Sequence, residues 1–195
     1  VQFMEQNPKI GAAQAIWGMS GASNLVATLE NISGREQRYV EARKGTTTHK
    51  SLGIGIYRTK AIRDVGGFDK HIKGASEDRD LTARMRKAGW LFDISPAKIY
   101  HKFRDTWRGV WSQYSWWGYG AHYIYHKHKG LFALWRRLPN VAFIYGLRLS
   151  SSAYKRTHRK ISFLLPLLHL FKSLGWWFGF FKGHVDEYGH NSNFQ

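Results

Sequence analysis

Gly66-Gly67-Phe68-Asp69, followed by Ser76-Glu77-Asp78-Arg79-Asp80-Leu81 and then by Arg84 and Gly89, is the stretch that decides the fold of this chain. The glycine pair ends a short predicted helix, Lys60–Val65, that Thr59 is expected to cap. Ser76 is expected to cap a second helix, Glu77–Ala88, ended by Gly89. Its first turn carries Glu77, Asp78 and Asp80, and its last carries Arg84, Arg86 and Lys87. Both ends complement the helix dipole. Strand candidates flank these helices. Upstream lie Ile10–Trp17, bounded by Pro8 and Gly18, and Ser51–Tyr57, interrupted by glycines where a backbone or ligand approaches closely. Downstream lie Trp90–Ile94, before Pro96, and Ile99–His101. Between the upstream strands the sequence is mixed and polar, with a helix predicted around Ala22–Asn31. Val1–Gln6 reads as the last turns of a helix stopped by Asn7-Pro8.

The chain has 195 residues, 30 Lys plus Arg against 13 Asp plus Glu, and a formal charge of +17. That excess implies an anionic partner: nucleic acid, an anionic membrane face or phosphorylated substrates. No cysteine is present, which excludes a disulfide scaffold and thiolate chemistry. At 43% hydrophobic residues the chain can bury a core. The charge is uneven. Residues 1–100 hold 16 basic and 10 acidic side chains; residues 101–195 hold 14 and 3. Six of the nine Trp follow residue 110.

The texture changes at Thr106. Trp107–His128 is helical in length and packed with aromatics. Leu131–Leu149 is apolar with arginines inside it. Lys155-Arg156-Thr157-His158-Arg159-Lys160 is a basic knot. Ile161–Phe181 is an apolar run broken by Pro166, His169, Lys172 and Ser173. A charge at mid-span is costly. An in-plane interfacial helix or a reentrant hairpin therefore fits better than a simple span. Anionic lipid would hold the basic knot by roughly 1 kcal/mol per residue.

The order and spacing of Gly53-Ile54-Gly55-Ile56-Tyr57-Arg58, Val65-Gly66-Gly67-Phe68-Asp69, Ser76-Glu77-Asp78-Arg79-Asp80-Leu81-Thr82-Ala83-Arg84 and Gly89-Trp90 resemble the C-terminal half of family 2 inverting glycosyltransferases. Those are nucleotide-sugar enzymes of the GT-A fold, and the match covers about residues 8–105. The resemblance implies an α/β fold: an incomplete GT-A fold followed by a helical, membrane-associated region. Residues 1–105 would be the acceptor-side half of the catalytic domain and 106–195 the aromatic, basic, membrane-associated part. The half that binds nucleotide and metal is expected upstream of Val1, since Asp78-Arg79-Asp80 follows Lys73-Gly74-Ala75-Ser76 rather than the hydrophobic strand that normally precedes a metal-binding Asp-x-Asp.

The same resemblance assigns roles. Asp78 becomes the base that deprotonates the acceptor hydroxyl. Glu77 and Gly67 fall on the acceptor side, with Trp116 and Trp117 as a further acceptor surface. His101, 23 positions after the base, faces the diphosphate or its metal, and a divalent cation (Mg or Mn) is expected. As carboxylates, Glu77 and Asp78 repel each other, while the helix N-terminus favours negative charge; the sequence leaves that balance open. Processive relatives carry Gln-x-x-Arg-Trp where this chain has Gln113-Tyr114-Ser115-Trp116-Trp117, so Trp116 stands where the Arg would be. That weakens a pyrophosphate grip and polymer synthesis. An aromatic face there can still stack on a sugar ring.

Two other patterns have plainer explanations. His122, His126 and His128 lack a nearby carboxylate and interleave with Lys127 and Lys129, as an exposed basic helix end does. Asn31-Ile32-Ser33 matches a glycosylation acceptor that would be inert on a cytosolic domain.

The expected function is transfer of a sugar from a nucleotide-sugar donor to a lipid-linked or polysaccharide acceptor, with inversion, at the cytoplasmic side of a membrane. The product would be a membrane-linked glycan, a glycolipid or a polysaccharide. Two alternatives remain at this level: a basic aromatic module that binds nucleic acid, and a non-catalytic membrane scaffold. Against the nucleic-acid module, the aromatics cluster with Leu, Ile and Phe and no RNA-binding signature is present, so no nucleic-acid partner is expected.

Overall fold

The computed structural model describes residues 1–19, 21–43, 54–73, 75–130 and 133–189. The chain divides into two compact units: Val1–Ser20 with Gly45–His101, and Gly21–Lys44 with Lys102–Gln195.

The first unit is a small α/β layer. Helix α1 (Gln2–Gln6) leads into strand β1 (Ile10–Met19). β1 is central. It pairs antiparallel with β2 (Gly55–Tyr57) and parallel with β3 (Leu91–His101). β1 runs two residues beyond the predicted end. Only the last part of the predicted strand 51–57 lies in β2, and residues 51–53 fall outside the described residues. The two downstream strand candidates are one element. In the ladder Ala15 pairs with Ser95 and Ile16 with Lys98, so Pro96 and Ala97 form an irregularity inside β3 rather than a break. Pro96 has no N–H to donate, and a bulge is where a ladder tolerates that.

Small residues on β1 let the layers close. Ala12 is buried with Ala61, Leu81 and Met85. Ala13 is buried on the other side with Met4 and Ile10. A Cβ on Gly55 would lie 2.6 Å from the Ala13 carbonyl oxygen, so the close approach implied by the glycines of this strand is made by backbone. Helices α3 (Thr59–Asp64) and α4 (Glu77–Lys87) cover this core through Ala61, Leu81 and Met85. Thr59 is the first residue of α3, and Arg58 holds the cap position without a side-chain cap bond. Arg58 instead donates to the carbonyls of Met4, Asn7 and Ile10, at 2.5, 3.1 and 3.0 Å, pinning the turn from α1 into β1.

The second unit is helical: α2 (Leu25–Arg43), α5 (Trp107–Lys127), α6 (Pro139–Thr157) and α7 (Leu165–Val185), with short 3-10 turns before α6 and α7. Helix α2 runs well past the predicted 22–31. Asn24 caps it through Oδ1 to the Ala27 amide (2.9 Å). Thr106 caps α5 through the Gly109 amide (3.1 Å). Leu29 and Ile32 of α2 bury against Leu149, Ala153, Leu165 and Leu168. Asn31 and Ser33 are buried within this packing, so the glycosylation pattern is inaccessible.

Helices α5 and α7 approach backbone to backbone. A Cβ on Gly118 would lie 1.9 Å from the Trp176 carbonyl oxygen, and one on Gly179 would lie 1.8 Å from that of Ser115. Gly175, Gly179 and Gly183 recur every fourth residue on the face of α7 that meets α5. Small residues at that spacing allow close helix contact where apolar burial supplies little drive.

Helix α7 is one continuous helix, so the hairpin alternative is corrected: Pro166 sits in its first turn, where its missing N–H has no partner to lose. Lys160–Val185 is long and apolar enough to cross a membrane, and half of its most apolar stretch is buried. The polar residues along its middle face inward, while Lys160, Lys182 and His184 at its ends are exposed. Ser162, His169, Lys172 and Ser173 are buried, whereas Phe163, Leu167, Leu174, Phe178 and Phe181 are exposed. Ser33 Oγ and His169 Nε2 lie 3.0 Å apart, and Lys172 Nζ lies 2.6 Å from Glu30 Oε1.

Candidate functional site

The first unit brings Gly67 and the Glu77–Asp80 segment into one hydrogen-bonded construction. Helix α3 ends in Gly66 and Gly67, both at φ +78, a conformation glycine adopts without steric cost. Their amides return to Arg63 (3.0 Å) and Ile62 (2.9 Å). No atom of the described residues lies within 4 Å of where a Cβ on either glycine would stand, which leaves this side of the turn open among them. Phe68 projects from it, 51% exposed. Asp69 Oδ1 accepts from the His71 amide (2.8 Å), closing the turn on itself.

Ser76, just before α4, does not cap it. Its φ is +93, in the left-handed region, and its hydroxyl makes no cap bond. A capping residue needs extended backbone to aim its oxygen at the first free amides. Here the Ser76 carbonyl accepts from Arg79 (3.1 Å) and Asp80 (3.0 Å) instead. A non-glycine residue held this way costs about 1–2 kcal/mol. Such strain is commonly kept next to functional groups.

The acids of this segment have different surroundings. Glu77 is exposed. Asp78 is half-buried, and its Oδ1 accepts from the Arg79 amide (2.8 Å). Asp80 is fully buried. Its Oδ2 receives Arg84 Nη2 at 2.6 Å and Nε at 2.9 Å. The same guanidinium donates to the carbonyls of Val65 and Gly67, the latter at 2.7 Å. Asp80 is therefore committed to Arg84, which leaves Asp78 as the half-exposed carboxylate beside it.

The Asp78 carbonyl accepts from the buried Thr82 hydroxyl (2.6 Å). Tyr57 on β2 packs, half-buried, against the core cluster that includes Leu81 and Met85. Burial, together with the negative charge of Asp78 and Glu77, pushes its phenol up to about 12. Tyr57 thus stays neutral beside the acids. The spacing of Asp80 and Arg84 makes their pairing legible in the sequence. The two carbonyl contacts of Arg84, the clamp of Arg58 and the place of Tyr57 are long-range and were not.

His101 is half-buried at the end of β3. Among the described residues no three His, Cys, Asp or Glu side chains form a group able to hold a metal ion. Trp116 and Trp117 belong to the helical unit and are 56% and 40% exposed, so neither is a core residue. His122 corrects the expectation of an exposed histidine end. It is buried, with Nδ1 at 2.6 Å from the Tyr188 carbonyl, and its ring packs on Phe180.

A glycine turn and an acid-bearing helix start, tied together by Arg84, make up the candidate site of this α/β unit. The chain belongs to the family described as glycosyl transferase family group 2, which it matches over residues 1–182. It is 26% identical over 145 residues to glucomannan 4-beta-mannosyltransferase 1 of Cyamopsis tetragonoloba, covering 71% of this chain and 27% of that protein. It is 26% identical over 151 residues to probable glucomannan 4-beta-mannosyltransferase 4 of Oryza sativa subsp. japonica, with the same coverage of each. The chain spans about a quarter of the length of these relatives.

Proposed function

We propose that this chain supplies the acceptor side of an inverting glycosyl transfer with Asp78 as the base. One observation carries the reading. Asp78 is the half-exposed acid on the first turn of a helix that Arg84 ties to the open Gly66-Gly67 turn, while Asp80 is fully engaged. The Asp78 carboxylate takes the acceptor proton as that oxygen attacks the anomeric carbon from the face opposite the leaving group. The bond to the diphosphate oxygen breaks, and the nucleoside diphosphate departs with its electron pair. Glu77 and Gly67 border the acceptor, and Trp116 and Trp117 offer stacking surface to a glycan.

A divalent cation would stabilise the departing diphosphate. Among the described residues no three His, Cys, Asp or Glu side chains come together to make a site for one, and Asp80 is held by Arg84.

The acceptor is a lipid-linked glycan or polysaccharide at the cytoplasmic side of a membrane. The inverted pattern of α7 supports this, because its exposed face is apolar and its polar face is buried. The basic knot at the end of α6 suits anionic headgroups of the cytoplasmic leaflet. The relatives are mannosyltransferases by name, which makes nucleotide-activated mannose and glucose the donors to try first.

The test is transfer by the natural protein at full length, purified in lipid nanodiscs. Release of nucleoside diphosphate and the anomeric configuration of the product are read by NMR. An α-linked donor should give a β-linked product. Retained configuration, or no transfer from any nucleotide sugar, contradicts the proposal.

A further inference from the structure

We propose that Asp80 and Arg84 are positioning residues that set the acceptor turn, Gly66-Gly67-Phe68, against the helix start carrying Asp78. The inference rests on the reading of Asp78 as the acceptor base and adds what aligns the acceptor with it.

The guanidinium is a rigid planar fork with five donors. Two N–H groups are spent on Asp80, and others reach the Val65 and Gly67 carbonyls that bracket Gly66. An ion pair serving α4 alone would need only the carboxylate. The carbonyl bonds reach across to a turn that has open space on its other side. The turn is thus held through Arg84 on one side and free for a ligand on the other.

The position of Arg84 relative to Asp78 is fixed. Both lie on α4, which Leu81 and Met85 anchor in the core, and Thr82 secures the Asp78 carbonyl. Phe68, exposed on the turn, gives a flat apolar face of the kind that stacks on a pyranose ring. The acceptor class this geometry suits is therefore a sugar, whose ring rests on the turn while its hydroxyl meets Asp78. A small misplacement of bound reactants costs up to about 100-fold in rate, so a turn freed from its fork should lose acceptor alignment first.

The test is Arg84→Lys in the natural protein at full length, which keeps the charge and loses the fork. The acceptor kcat/KM should fall about ten- to a hundredfold while the donor KM stays at the wild-type value. By hydrogen exchange, the Gly66 and Gly67 amides should lose protection while those of Leu81–Met85 keep theirs. Asp80→Glu, which retains the charge with a longer reach, should give the same split at smaller size if Arg84→Lys folds poorly. An unchanged acceptor kcat/KM per active enzyme, with only a smaller active fraction, would overturn the proposal. So would unchanged exchange at the turn. Exchange needs no turnover, so a wild-type protein that transfers no sugar but whose turn loosens in Arg84→Lys would sink the functional reading and leave the fork standing.

Discussion

Lys172 of α7 and Glu30 of α2 form an ion pair of 2.6 Å in which both side chains are about 5% exposed. The ammonium also sits 5.2 Å from the centre of the Tyr114 ring. Helix α7 thus buries Lys172 at its middle while Leu167, Leu174, Phe178 and Phe181 stay exposed. Removing one partner of such a pair leaves an uncompensated buried charge. Lys172→Ala should therefore cost about 3–5 kcal/mol, whereas Lys172→Met together with Glu30→Leu should recover most of that loss. Thermal unfolding of the two variants in the same detergent separates these outcomes. Equal destabilisation would show that the pair itself is not what the core depends on.

The exposed face of α7 should act in lipid binding and not in folding. Replacing Leu167, Phe178 and Phe181 by Ser removes apolar surface that is more than half exposed; Phe178 and Phe181 touch Trp111 and Trp177 only at its edge, so the unfolding temperature should fall by a few degrees at most. Flotation with vesicles containing anionic lipid should drop sharply. A triple variant that floats like wild type contradicts a lipid-facing α7.

Much of the first unit was legible because its signals are local. A glycine pair, acids at a helix start and small-residue strands each dictate structure within a few residues. The Ser76 cap failed because the chain turns through a left-handed residue there, which no sequence spacing encodes. Helix α2 was read short because its polar residues mask its buried side. Glu30, Ser33 and Glu36 look solvent-facing until their partners Lys172, His169 and Arg156 are in place. The glycines at 175, 179 and 183 are a signal of close helix contact that periodicity of apolar residues does not catch. The inward polar face of α7 could be located by spacing, but its burial depends on α2, more than a hundred residues upstream.

Asp80→Asn tests how the acids of α4 differ in stability. A helix-start acid is worth about 0.3–1 kcal/mol. A carboxylate that is fully buried under a guanidinium is worth more, because its loss strands Arg84. We expect a loss of about 2–4 kcal/mol by urea unfolding, against less than about 0.5 kcal/mol for Glu77→Gln on the exposed side. Similar small losses for both would show that the Arg84 fork adds nothing to stability.

Tyr57 gives the first unit a pH signature. Its phenol is raised from 10 in an unfolded chain to about 12 in the fold, so the unfolded state ionises first as pH rises. The stabilising contribution is complete below pH 10 and is lost as pH climbs from 10 towards about 12. Unfolding of wild type and Tyr57→Phe between pH 9 and 12 should give curves that converge over that interval. A constant difference across it would contradict a neutral, buried phenol beside Asp78.

Asp78 is the proposed acceptor base, and turnover of Asp78→Asn in the natural protein at full length tests that role most directly. Loss of a general base lowers the rate by about a hundred- to ten-thousand-fold. The substitution leaves the helix start, the Thr82 bond to the Asp78 carbonyl and the Arg84 fork untouched. We expect kcat to fall within that range while the unfolding temperature and nucleotide-sugar binding stay near wild type. Wild-type turnover by Asp78→Asn in a folded, donor-binding protein would contradict the assignment of Asp78 as the base.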